Sequence, residues 1–129
     1  MPVVKAFVPP SLLPPACGDL EAFGRAVGAV CLDVLQASSR QIQVMVVPAH
    51  ALCGEPIYVE VNFRGNPHRD ADVVQQFMSN LEMVIRNTFS TVPRIRCFAE
   101  DQASPHARNC RHDRARRYPA RHRQLPCRR

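Results

Sequence analysis

The chain has 129 residues, 46% of them hydrophobic and 22% charged, which suits one domain with a single modest core and argues against a wholly disordered polymer. Its formal charge of +6 is unevenly placed: eight arginines against Asp113 give residues 111–129 a charge of +7, and nine basic against ten acidic residues leave the preceding body at −1. No stretch reaches the roughly 18 uninterrupted apolar residues of a membrane span, and MPVVKAFVPP lacks the pattern of a signal peptide.

In chain order, Val3 to Val8 is a short β-prone run stopped by Pro9-Pro10. Pro14, Pro15 and Gly18 keep the next stretch in a loop. A helix opens near Asp19, which can cap it. Phe23, Val27, Val30 and Val34 then recur at helical spacing, with Ala26 and Cys31 on the same face. The helix fades at Ala37-Ser38-Ser39, and Ile42 to Val47 is a second strand closed by Pro48. The plan then repeats: a strand from Ile57 to Phe63, a break at Arg64-Gly65-Asn66-Pro67, and a helix capped by Asp70. Val73, Val74, Phe77, Met78, Leu81, Val84 and Ile85 make its apolar stripe. Pro93 marks its end, and Ile95 to Ala99 is the last main strand.

Strand–helix–strand thus occurs twice, about 50 residues apart, and a helical crossover suits parallel pairing within each half. Two such halves predict an α+β domain with a four-stranded mixed sheet and both helices on one face. Val4, Val44, Val46 and Val59 are then left for the uncovered face. An exposed apolar patch of that kind argues for association of several copies. The domain spans residues 1–109. Residues 110–129, rich in arginine and without apolar periodicity, read as a disordered tail, or as GC-rich DNA translated in an unintended frame from near Asn109.

Cys31 and Cys97 fall inside apolar segments and no export signal precedes them, so the six cysteines read as reduced cytosolic thiols. Pro2 carries the chemistry. A small second residue favours removal of Met1, which would leave a secondary amine at the head of a strand, beside Val3 and Val4. An apolar setting disfavours the ammonium and draws its pKa toward neutrality, as do neighbouring cations. A base poised near the operating pH is what proton transfer next to a carbonyl requires.

A proline at position 2 leading into a strand, followed by a doubled βαβ plan, resembles the tautomerase superfamily. QIQVMVVPAHAL, Gly54-Glu55-Pro56 and the segment from Ile95 to Asn109 resemble the macrophage migration inhibitory factor-like branch in order and spacing. The resemblance implies a cytoplasmic, cofactor-independent homotrimer whose terminal proline moves a proton on a small 2-oxo or unsaturated carboxylate. Phe63-Arg64-Gly65-Asn66-Pro67-His68-Arg69-Asp70 resembles the connection in which the dehalogenase branch binds its substrate carboxylate with two arginines. That makes Arg64 and Arg69 the substrate ligands, since a guanidinium fork matches a carboxylate.

Arg96 and Phe98 stand around the aromatic position of the last strand and complete the implied site. Departures from the pattern are Ala37, with Arg40 beyond it, where a lysine is usual, and Gln43 in place of an arginine. Glu100 falls near the water-activating acid of the dehalogenases. Simple tautomerisation is therefore the assignment, with dehalogenase, hydratase or decarboxylase chemistry, or a non-catalytic trimeric binder, as alternatives. Neither His50-x-x-Cys53 nor His106-x3-Cys110-x-His112 has the spacing of a structural zinc site, so no metal is implied. With one aromatic, Tyr118, the tail has no means of specific nucleic-acid reading.

Overall fold

The computed structural model describes residues 1–100. The readings on His106, Asn109, Cys110, His112, Cys127 and the 110–129 segment lie outside the described residues. Six main elements run in the order β1 (Val3–Val8), α1 (Cys17–Asp33), β2 (Gln43–Pro48), β3 (Tyr58–Arg64), α2 (Ala71–Phe89) and β4 (Arg94–Glu100), with short 3-10 turns at Pro10–Leu12 and Ser39–Gln41. The sheet order is β2-β1-β3-β4. β1 runs parallel to β2 and β3 parallel to β4, while β1 and β3 meet antiparallel and join the two βαβ halves at the centre.

The cap of α2 is the one expected: the Asp70 side chain accepts from the backbone N–H of Val73 at 2.9 Å. The helix closes at Ser90, in the left-handed region at φ 53, whose N–H donates to the Arg86 carbonyl. Its stripe buries Phe77, Leu81, Ile85 and Phe89. α1 differs from expectation at its start. It begins at Cys17, with Ala16 at the N-cap making no side-chain cap bond, and Asp19 falls in its first turn. There an acid favours the helix through the dipole instead. Phe23, Val27 and Cys31 are buried on its inner face, and Phe23 meets Phe89 edge-on at 5.2 Å between ring centroids.

The two sheet faces correct one expectation. Val4 and Val59 are fully buried in the core shared with the helices, and Val44 and Val46 pack against that core. In register, Val4 is paired with Val44 and Val61, and Ala6 with Val46 and Val59. The uncovered face therefore carries the other parity: Val3, Lys5 and Phe7 beside Met45, Val47, Tyr58, Glu60, Asn62, Arg96 and Phe98. It is mixed in character. Lys5 lies between Met45 and Glu60, Glu60 is next to Arg96, and Phe7 stacks on Tyr58 at 5.8 Å.

The cysteines divide. Cys31, Cys53 and Cys97 carry free thiols, but Cys17 is disulfide-bonded, so the reading of all thiols as reduced does not hold at this exposed helix start.

Candidate active site

Pro2 lies at the head of β1, buried, with its carbonyl accepting from the Gln43 N–H at 3.0 Å. It shares the parity of Val4, Ala6 and Val8, so it falls on the helix-covered side of the sheet. The amine present is that of Met1, one residue farther out. Burial holds this amine below the ordinary value for a terminal amine. The Arg69 and Arg64 guanidinia push the same way, and the Glu100 carboxylate opposes them. The head of β1, the end of β3, the start of α2 and the end of β4 therefore converge electrostatically on one nitrogen.

The two arginines of the 64–70 connection are both brought there, in different states. Arg64 ends β3, in register with Glu100, and is exposed. Its guanidinium forms no ion pair among the described residues. Arg69 is half-buried and committed. Its Nε donates to the Leu35 carbonyl at 3.0 Å, its Nη1 donates to the Arg64 carbonyl at 2.6 Å, and its guanidinium carbon lies 5.8 Å from the centre of the Phe63 ring. Burial lowers its pKa from the usual arginine value, but so strong a base stays charged at any working pH.

The turn itself follows from its residues. Asn66 accepts the Arg69 N–H on both its side-chain and main-chain oxygens, at 3.0 and 3.1 Å. Pro67 fixes the next φ, as such a turn requires. Gly65 donates from its N–H to the Glu100 carbonyl at 3.0 Å, tying the turn to the end of β4.

Arg96 and Phe98 do not join this group within one chain. Both are on the uncovered face of β4, opposite Glu60 and Asn62, and Phe98 is 46% exposed. Ala37 is buried, and Arg40 is exposed in the Ser39–Gln41 turn. His68 was not singled out by the sequence, yet its Nε2 donates to the Val34 carbonyl at 3.2 Å. Nothing local signals that bond, because its partner is 34 residues away. Cys31 is likewise a hidden neighbour of Arg69. Its thiol is pushed up to about 11 by burial, an effect the arginine partly offsets.

Two surface recesses lie elsewhere. One of about 350 Å³ is lined by Cys53, Glu55, Tyr58, Arg94 and Arg96. Tyr58 pairs with Phe7, five residues along β1 from Pro2 and so about 17 Å away. The other, of about 450 Å³, lies between the helices among Asp19, Phe23, Ala26, Val84 and Asn87. Among the described residues no three His, Cys, Asp or Glu side chains gather as a metal site, and no helix is long and apolar enough to cross a membrane.

No family model matches the chain, and no curated protein does. Solved structures do. A fused 4-OT wild-type asymmetric trimer, R7, superposes with a TM-score of 0.69 at 8% identity, over 81% of this chain and 91% of that one. N1, a member of the cis-3-chloroacrylic acid dehalogenase family, gives 0.68 at 10% identity, over 91% and 92%. RhCC from Rhodococcus jostii RHA1 gives 0.63 at 12%, over 81% of each. At identities this low the superpositions show the fold alone, the tautomerase fold of two helices and a four-stranded mixed sheet.

Proposed function

We propose that the chain is a cofactor-independent tautomerase acting on a small 2-oxo or unsaturated carboxylic acid, with Pro2 as general base. The observation that carries this is the convergence of burial, Arg64 and Arg69 on the amine at the head of β1. Loss of Met1 moves that amine inward to a buried ring. There the same terms keep more of it neutral near pH 7. In ketonisation the neutral amine takes the enol hydroxyl proton, and the resulting ammonium delivers it to the adjacent unsaturated carbon. The ring amine is thereby regenerated, and no other reagent is consumed. Arg64 is the substrate's carboxylate ligand, with Arg69 behind it.

Three copies assembled through their uncovered sheet faces would supply Arg96 and Phe98 from a neighbouring chain and close the open side of the site. The trimeric state of the fused 4-OT neighbour supports that arrangement. A cytoplasmic setting accompanies the proposal. Glu100 favours a second reading as a hydratase, because its carboxylate lies close enough to the amine to raise its basicity and could equally orient a water.

The test is ketonisation of phenylenolpyruvate and 2-hydroxymuconate by wild type and Pro2→Ala, after the N-terminus has been checked by intact mass. Turnover that collapses in Pro2→Ala is the expected result. A free Pro2 amine with no turnover of either enol would defeat the tautomerase reading and leave the hydratase or a binding protein.

A further inference from the structure

We propose that Arg69 is a positioning residue for Arg64, and that His68 and Arg69 form a clasp fastening the ligand-bearing turn to the C-terminal end of α1. The proposal rests on the reading above for one point, that Arg64 meets the substrate carboxylate.

The last turn of a helix leaves carbonyl oxygens without intrahelical partners. At the end of α1 the chain turns through Gln36, at φ 52, and the Ala37 N–H reaches back to the Cys31 carbonyl at 3.2 Å. Two further carbonyls here belong to Val34, the C-cap, and to Leu35 just past the helix, and both residues are buried. His68 donates to the first and Arg69 to the second. A carbonyl can only accept, so His68 carries its proton on Nε2. A cation at this end of the helix is also favoured by the dipole. Two consecutive side chains of the turn thus satisfy two consecutive carbonyls where the chain leaves α1, 34 residues away.

From that anchorage Arg69 reaches forward with Nη1 to the Arg64 carbonyl. The Gly65 N–H, at the other end of that same peptide group, donates to the Glu100 carbonyl. The peptide group that follows Arg64 is therefore held at both its oxygen and its N–H, while the Arg64 side chain stays exposed. A guanidinium has five N–H groups in a rigid fork. Here Nε and Nη1 are spent on carbonyls and one ring lies close by. Lysine, a single ammonium on a flexible stem, cannot span the same pair of acceptors. Two arginines that look equivalent in the sequence divide the work, one binding and one aligning.

A double-mutant cycle tests this with benzoate, a carboxylate that does not react, titrated by NMR into wild type, Arg64→Gln, Arg69→Gln and the double variant. Each single change should weaken binding about tenfold, and the double variant should be no weaker than Arg64→Gln, since aligning an absent ligand has no effect. Arg69→Lys should resemble Arg69→Gln. Additive losses in the double variant, or an Arg69→Gln protein that binds benzoate normally, would overturn the positioning role.

A second readout needs no ligand. Hydrogen exchange at the Gly65 and Arg69 amides should accelerate in His68→Ala and in Arg69→Gln while that of Leu81 in α2 does not; unchanged exchange overturns the clasp. Faster exchange in the variants, with a wild type that ignores benzoate, upholds the clasp and removes only the carboxylate reading.

Discussion

Arg64 stands directly beside Glu100 across the β3–β4 pair, and the two charges act on the terminal amine in opposite directions. The proposed catalysis requires a neutral terminal amine, so kcat/KM should rise with pH through the pKa of that amine, and burial, Arg69 and Arg64 hold the Met1 amine below the ordinary terminal value. Arg64→Gln removes a cation that disfavours the ammonium and should move this limb to higher pH. Glu100→Gln removes an anion that favours it and should move the limb lower. Displacements of up to about one pH unit are of the size that a nearby charge produces. The pH–rate profiles of the three proteins decide the matter, and shifts of the reverse sign would separate the activity from this nitrogen.

The thiols of Cys31 and Cys97 give a stability signature at the other end of the scale. Burial raises each to about 11, and for Cys97 the Cys31 thiol adds to the effect. Unfolded thiols lose their protons near 9.0, the value from which both are displaced. The folded state therefore binds more protons between 9 and 11. Its stability should be complete below pH 9 and be lost progressively as the pH climbs through 11. Urea midpoints measured from pH 8 to 11 should show the decline, and Cys31→Val with Cys97→Val should flatten it.

Helix α2 allows a graded set. Leu81 is fully buried and Met83 is 63% exposed. Leu81→Ala should cost about 2–5 kcal/mol, the range for a buried leucine, and Met83→Ala less than about 0.5 kcal/mol, as at ordinary surface positions. Asp70→Ala removes the acceptor for the Val73 N–H and should cost about 1 kcal/mol, the usual value of an N-cap. Denaturant unfolding of the three variants gives these values directly. An Asp70→Ala loss comparable to that of Leu81→Ala would mean that the cap also holds the 64–70 turn.

These elements show where the sequence was informative. Period and punctuation placed β1 to the residue and put the Asp70 cap correctly, while Arg64 and Arg69 were singled out only through the resemblance to the dehalogenase connection. The face of the sheet was not legible, for a definite reason. In β1 and β2 both parities carry apolar residues, Val4 and Val8 on one side and Val3 and Phe7 on the other, so alternation is ambiguous. Only β3, with Glu60 and Asn62 between Val59, Val61 and Phe63, reveals which side is wet. The start of α1 was misplaced because Asp19 has the chemistry of a cap, while the backbone already turns helical after Ala16. The tasks of His68 and Arg69 were hidden altogether. Their acceptors are main-chain oxygens at the end of another element, and a carbonyl has no sequence signature.

The uncovered face makes a prediction about assembly. It mixes half-buried Val3, Phe7, Met45 and Val47 with Lys5, Glu60 and Arg96, and Phe98 stands exposed on the edge strand β4. A face of this composition can remain wet, but three copies sharing it would bury its apolar members, Phe98 among them. Phe98→Glu places a charge at that contact, where desolvation without a partner is costly. It should therefore shift the proposed trimer toward monomer in sedimentation equilibrium and reduce turnover in parallel. Met83→Glu, on the helical layer, adds the same charge away from the face and should leave the trimer intact. A wild type that sediments as a monomer at all concentrations would remove the shared site.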